Sequence, residues 1–292
     1  MNLAYLGFGE AASSIAVGLL GEGMTGAKAY DVLLLNDAKK DAVLKKMADC
    51  KVEACFTPEE CVKDADIIIS AVPSQFAVAT CKSAMDYVKS GAIYLDVSTA
   101  GPKEKQEMDA LLSPKGASVV DGAMLGPLLK YKHKVPMLLS GEKAEDVKAM
   151  LDPYHMSLDV YSKKPGDATS IKFVRSIVAK GLACLLFESI QAAQHFGVED
   201  TVVDSFLESY GQQFESTIDG YVSGTCIHAK RREHEMENVL DMLKAAGLPC
   251  EMTEATMHKL ANIAELDIPS RFENGVPRNW KGTIAGWGLN DK

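Results

Sequence analysis

Six consecutive residues near the start of the chain, Gly7-Phe8-Gly9-Glu10-Ala11-Ala12, have the types and spacing with which a backbone holds a pyrophosphate. Gly7 permits the tight turn between a strand and a helix. Gly9 leaves room for the backbone to approach phosphate oxygens. Ala12 stands where a third glycine usually stands and is small enough for close helix-on-strand packing. The helix beyond the turn presents its first N–H groups, with their partial positive charge, to the anion. Apolar Leu3-Ala4-Tyr5-Leu6 precedes the turn and a helical pattern follows it, so the motif has the strand–turn–helix context the chemistry requires. These six residues are assigned to a dinucleotide.

Further polar and conformationally special residues recur where apolar runs stop. The segment AYDVLLLND reads as a second strand from about Tyr30 to Asn36, with Asp37 at its end. A carboxylate there accepts hydrogen bonds from ribose hydroxyls and favours NAD. Lys39 and Lys40 would neutralise the extra phosphate of NADP, and Asn36 suits either, so the expected cofactor is NAD or NADP, with NAD slightly preferred. The run Ile67–Ile69 ends in Val72-Pro73, and a proline marks the exit from a sheet. A strand over 92–97 ends in Ser98, Thr99, Gly101 and Pro102, and ASVVDGAMLGP ends in Asp121, Gly126 and Pro127. VPMLLSG is one more strand, closed by Ser140-Gly141. Three successive loops of this kind on one edge of a parallel sheet form a binding rim.

The elements that must position these loops alternate strand and helix over residues 1–164, which predicts a Rossmann-like α/β domain. From Pro165 onward the pattern is helical, which predicts an all-α domain over 165–292. Ile171, Val174, Val178, Leu182, Leu185 and Leu186 share helical spacing, interrupted only at Gly181. Asp167, Thr169 or Ser170 caps the start and Gly197 the end, giving a helix of nearly thirty residues that joins the domains. Its apolar extent predicts a homodimer. Further helices are expected at about 200–220, 230–246 and 253–265, with Gly247 ending one and Thr253-Glu254 opening the next. The tail, rich in glycine and bearing two tryptophans, suggests no role.

Composition narrows the class of function. The chain has 292 residues, 47% hydrophobic and 24% charged, which is enough for about two globular domains. Acidic residues number 40 against 31 basic ones, and the net charge of −9 argues against nucleic acid or an anionic membrane as partner. No apolar run reaches membrane-spanning length and no secretory signal precedes the first strand, so a cytoplasmic protein is expected. Seven scattered cysteines without a Cys-x-x-Cys pair read as reduced, packed thiols, and no metal site is expected because Cys50, Cys55 and Cys61 lack histidines at ligand spacing.

Taken together, the glycine turn and the loop motifs resemble those of the β-hydroxyacid dehydrogenase family, which includes 3-hydroxyisobutyrate and tartronate semialdehyde dehydrogenases and the larger 6-phosphogluconate dehydrogenase. The resemblance runs to about residue 265. DVSTAGP (96–102) is similar to the family's Asp-x-Ser-Thr-x-x-Pro substrate loop. DGAMLGP (121–127) matches its Asp-Ala-Pro-Val-Ser-Gly-Gly loop in part, with Leu125 for the serine and Pro127 for a glycine. PGDATSIKFVRS matches the Gly-x-x-x-x-x-Lys-x-x-x-Asn helix start and puts Lys172 on the catalytic lysine, with Ser176 replacing the asparagine and Arg175 adding a cation. The later Lys-Asp-Leu motif falls on His234-Glu235-Met236, as in a branch whose C-terminal domain has no assigned function.

The resemblance implies an NAD(P)-dependent oxidoreductase acting on a small β-hydroxy acid or its keto or semialdehyde form. Alcohol oxidation by hydride loss also releases a proton, and a lysine whose pKa is lowered can take it, so Lys172 is the expected general acid/base. Ser98, Thr99, Gly126, Arg175, Ser176 and His234 are the expected substrate contacts. Arg175, at i+3, would lower the pKa of Lys172 or fork onto a substrate carboxylate. Val72, Pro73 and Ser98 would lie against the nicotinamide. Arg231 and Arg232 are expected to pair with Glu235 or Glu237 along one helix. Two alternatives share the scaffold: an imine or ketone reductase or decarboxylating dehydrogenase, and a non-catalytic nucleotide sensor motivated by the altered serine loop and the missing asparagine.

Overall fold

The structure, a computed structural model, describes residues 1–289 and contains two compact units that divide at Lys172. The first unit holds β1 (Leu3–Leu6), α1 (Glu10–Gly21), β2 (Lys28–Tyr30), α2 (Asp37–Asp49), β3 (Glu53–Cys55), α3 (Pro58–Val62), β4 (Ile67–Ser70), α4 (Ala77–Ala84), β5 (Ile93–Asp96) and α5 (Pro102–Leu112). It continues through β6 (Ser118–Met124), α6 (Leu128–Tyr131), β7 (Met137–Ser140), α7 (Ala144–Leu151), β8 (Leu158–Ser162) and the start of α8 (Asp167–Phe196). The eight strands form one sheet in the order β3-β2-β1-β4-β5-β6-β7-β8. All neighbours are parallel except β6 and β7. The order reverses between β1 and β4, and in such sheets a crevice opens outside the carboxyl ends at that point.

Both faces of the sheet are covered, as its uninterrupted apolar strands require. Tyr5, Ile67, Ile69 and Leu95 pack in one core with residues of α1, α2 and α7, while Leu6, Ile68, Tyr94 and Val119 pack in another with α3, α4 and α5. The strand register lines up one row near the carboxyl edge: Tyr30, Leu6, Ser70, Asp96, Asp121 and Ser140 are successive partners. The row is polar from Ser70 onward. Asp121 lies in mid-strand, because β6 runs on to Met124 before the chain turns at Gly126.

The predicted second strand is shorter than expected. It ends at Tyr30, and Val32–Leu35 form a 3-10 turn. Asp31 caps that turn by accepting a hydrogen bond from the Leu33 N–H at 2.8 Å, and this local bond outweighs the strand propensity of the apolar run.

The second unit continues α8 and adds α9 (Glu199–Tyr210), α10 (Phe214–Ala245), α11 (Glu251–Glu265) and α12 (Trp280–Gly286). Gly197 ends α8 with φ +68°, as the sequence predicts. Elsewhere the expected boundaries change. The helices read at 200–220 and 230–246 are α9, which stops at Gly211, and one continuous α10 that carries Gly220 and Gly224 in its interior. α11 starts at Glu251, so Thr253 is a buried residue of its first turn and not its cap. Phe187, Ile190, Ile218 and Val222 form the core of this unit with Trp280 and Trp287 of the tail. The Trp287 indole N–H donates to Gln194 Oε1 at 2.6 Å, so the tail closes the helical core. Six of the seven cysteines are buried free thiols. No described helix is long and apolar enough to cross a membrane.

Candidate cofactor and substrate site

Gly7 turns the chain out of β1 with φ +79°. A Cβ there would stand 2.6 Å from Val72 Cγ1 and 3.1 Å from the Ala71 carbonyl oxygen, so only glycine fits the conformation and the contact. Val72 is thereby placed against the glycine turn, at the β1/β4 reversal. Pro73 is exposed and begins a 3-10 turn over Ser74–Phe76. Gly9 is exposed, and no atom lies within 4 Å of where its Cβ would be. No side chain caps α1 at Gly9, and Glu10 is exposed beside it while Ala12 is buried beneath. An open, uncapped helix start at a sheet reversal fits the pyrophosphate of a dinucleotide, which the N–H groups of residues 9–11 would hold.

Two sequence assignments at this end change. Phe8 turns into the core, where its ring meets Tyr5 edge-on at 5.6 Å, and its N–H donates to Asp31 Oδ2 at 2.7 Å. Its role is therefore to anchor the turn. Asp31, and not Asp37, occupies the end of β2. It is almost fully buried and joins the glycine turn to the 3-10 turn through its two oxygens. Asp37 is an exposed first residue of α2, and Asn36 caps that helix by accepting from the Ala38 N–H at 3.1 Å. Asp31 was legible as the first acidic residue after the strand. The apolar VLLL run behind it disguised the strand's end.

The loop after β5 is fastened from beneath by Lys105, which the sequence did not single out, through Asp96 and Asp121 of the loop motifs. Lys105 of α5 is fully buried, with Nζ 2.5 Å from Asp96 Oδ2 and 3.1 Å from Asp121 Oδ1. It also donates to the carbonyls of Asp96 at 2.9 Å and Ser98 at 3.2 Å. Burial opposes its charge, but the carboxylates of Asp121 and Asp96 outweigh that, and its pKa stands above the ordinary lysine value. Ser98 is buried; its hydroxyl donates to Asp96 Oδ2 at 2.7 Å and accepts the Ala100 N–H at 3.2 Å. The hydroxyl proton assigned to a substrate or cofactor thus belongs to an internal bond, and Ser98 shapes the loop on which Thr99 stands. Asp121 accepts from both the N–H and the hydroxyl of Thr169, each at 2.8 Å, and Ser140 Oγ accepts the Ala168 N–H at 3.0 Å. A carboxylate at the N-terminus of a thirty-residue helix is favoured by its macrodipole. The first turn of α8 is therefore fixed to the polar row of the sheet, and Lys172 follows Thr169 by three residues on the same helix face. Gly126, in the β6–β7 connection, lies close to Pro136 and Val135.

In the helical unit, Ser176 is buried and accepts from Lys180 Nζ at 2.9 Å. Lys180 pairs with Glu235 at 3.0 Å, and Arg231 reaches the same carboxylate at 2.5 Å, as helical spacing predicts. Arg232 departs from the expected acidic pairing: it reaches back along α10 to the hydroxyl of Thr225. His234 Nδ1 lies 2.7 Å from Glu237 Oε2, both about half exposed, and Arg175 is exposed on α8. Lys180 is a further member of this set that sequence spacing did not mark.

Comparison with known proteins agrees with the geometry. Residues 3–154 match the family model described as the NAD binding domain of 6-phosphogluconate dehydrogenase, and residues 193–263 match a domain of unknown function, DUF1932. A Methanothermus fervidus protein known only as an uncharacterized 28.5 kDa protein in the 7S RNA 5′ region is 27% identical over 91% of this chain and 100% of its own length. The solved structure of a conserved hypothetical protein from Sinorhizobium meliloti 1021 superposes with a TM-score of 0.80 at 29% identity, covering 99% of this chain and 96% of that one. A conserved protein of unknown function, described as structurally similar to 3-hydroxyacid dehydrogenases, superposes with a TM-score of 0.76 at 25% identity over 91% of this chain and 97% of its own. With an NAD-binding domain matched over half its length and that companion C-terminal domain, the chain belongs to the 3-hydroxyisobutyrate dehydrogenase-like branch of the 6-phosphogluconate dehydrogenase family.

Proposed function

We propose that this protein is an oxidoreductase that transfers a hydride between NAD(H) and a small β-hydroxy acid or its keto or semialdehyde form. The observation that carries the reading is the open glycine turn at the β1/β4 reversal, in the same unit as a helix start anchored to the sheet and bearing Lys172. The bound nicotinamide supplies or accepts the hydride. The chain's own residues bind, orient and move the proton. The N–H groups of residues 9–11 hold the pyrophosphate, and the carboxylate of Asp31 at the end of β2 favours a ribose hydroxyl over a 2′-phosphate. Thr99 and the backbone around Gly126 receive the substrate carboxylate. Lys172 takes the hydroxyl proton during oxidation and returns it during reduction. Arg175, Ser176 and His234 are substrate contacts of the helical unit. The exposed apolar residues Val174, Val178 and Leu185 on α8 supply the contact of a homodimer.

Fluorescence titration with NADH and NADPH, followed by a turnover screen of small 3-hydroxy acids with wild type and Lys172→Ala, tests the reading. The expected result is tighter binding of NADH and turnover that falls by about 10²–10⁴-fold in Lys172→Ala with cofactor affinity unchanged. Cofactor binding without turnover of any acid would replace this reading with a nucleotide sensor. No binding of either cofactor would remove both.

A further inference from the structure

Lys105 sits in the first turn of α5, where the helix dipole disfavours a cation, so helix formation does not account for a lysine there. Its surroundings do. Four acceptors converge on one ammonium group that has three protons to give: two from Asp96, one from Asp121 and the Ser98 carbonyl. All three side chains are fully buried. Apolar residues of similar volume commonly give a more stable interior than a buried ion triad, so the triad is poorly explained as a device for stability alone. What it does is connect. Ser98, Asp96, Lys105, Asp121 and Thr169 form one unbroken chain of hydrogen bonds from the loop after β5 to the first turn of α8. Those segments lie far apart in sequence, and Asp96 and Asp121 are direct partners across the sheet.

We propose that Lys105 is a positioning residue, which locks the Ser98–Thr99 loop to the start of α8 and so holds the general acid/base in register with the loop that receives substrate. Its connection to catalysis rests on the function proposed above; the mechanical link does not. Lys105 touches neither substrate nor cofactor and acts through Asp96 and Asp121.

The test removes the bridge and spares its two ends. In Lys105→Met combined with Asp96→Asn, the residue-96 side chain still accepts from Ser98, and Asp121 keeps both bonds from Thr169. Hydrogen exchange in segments 97–102 and 166–173 should rise by at least about tenfold, with exchange in β1, β4 and α1 unchanged. NADH affinity should stay at its wild-type value. With a substrate in hand, kcat should fall by about 10–10²-fold, and the limb of the pH–rate profile assigned to the general base should shift, which lost stability alone would not produce. As a second variant, Thr169→Val removes the hydroxyl bond to Asp121 and keeps the N–H bond, so it weakens the chain of bonds at its other end. It should raise exchange in 97–102, although that segment is not the one altered. Unchanged exchange in 97–102 in both variants, or a uniform rise over the whole sheet unit in the double variant, would overturn the proposal. A wild-type protein that turns over no hydroxy acid would instead defeat the proposed function, and the exchange measurements would still decide the link.

Discussion

Gly18 lies in the interior of α1, the helix whose start carries the glycine turn. On helix propensity alone, Gly18→Ala should stabilise the protein by about 1 kcal/mol. The packing predicts the opposite sign. An added Cβ would stand 1.9 Å from His133 Nδ1, 2.6 Å from its Cγ and 2.9 Å from its Cβ. The contact with the His133 Cβ means that ring rotation alone cannot relieve the clash. His133 is itself buried, and Lys132 before it already has φ +50°, so the 3-10 turn over Lys132–Lys134 must move bodily away from α1. Overpacking of this kind costs about 1–3 kcal/mol, and at its upper end it exceeds the propensity gain by about 1–2 kcal/mol. In a unit of this size that is a fall in Tm of about 2–8 °C. Thermal melts of four proteins would measure it: wild type, Gly18→Ala, His133→Ala and the double variant. His133→Ala alone should destabilise by leaving a cavity. In that background the ring contacts at 1.9 and 2.6 Å are gone and only the Cβ contact at 2.9 Å remains, so the cost of Gly18→Ala should shrink, a coupling of at least about 1 kcal/mol. NADH affinity should fall in Gly18→Ala and recover in the double variant. A rise in Tm on Gly18→Ala in the wild-type background would refute the reasoning.

Other outcomes follow from the same contacts. Asp31→Ala leaves the N–H groups of Phe8 and Leu33 without their acceptor, at about 1–3 kcal/mol for each that stays buried; NADH titration should show weaker binding and a shift in preference toward NADPH, and an unchanged NADH/NADPH ratio would count against Asp31 as the ribose residue. Burial, and then the Lys134 charge, hold His133 below the usual histidine range, against the opposing Glu22 carboxylate 3.5 Å away, which itself lies near Lys134 and His155. Because the folded state favours neutral His133, its contribution is present above the unfolded histidine pKa and is lost as pH falls toward the lowered folded value. Melts between about pH 7.5 and pH 5 should show a steeper loss in wild type than in His133→Gln, and parallel curves would exclude this group as the cause.

The sequence by itself determined what depends on residues near one another along the chain. The glycine turn after β1, the strands β4 and β5, the thirty-residue helix with its glycine stop, and hence an α/β domain followed by helices, all follow from periodicity and turn chemistry, which act over a few residues. The same local reading misjudged β2, because Val32–Leu35 have strand propensity and only the side chain of Asp31 bends them into a 3-10 turn. It split α10, because interior glycines weaken a helix whose buried face still holds it together. Tertiary structure alone decided the rest. Nothing in the spacing of Asp96, Lys105, Asp121 and Thr169 marks them as one network, since sheet register and the covering helix bring them together, and a buried charge declares itself only through its partners. The same holds for Gly18, which reads as a weak point in α1 until His133, from 115 residues farther along the chain, fills the space beside it.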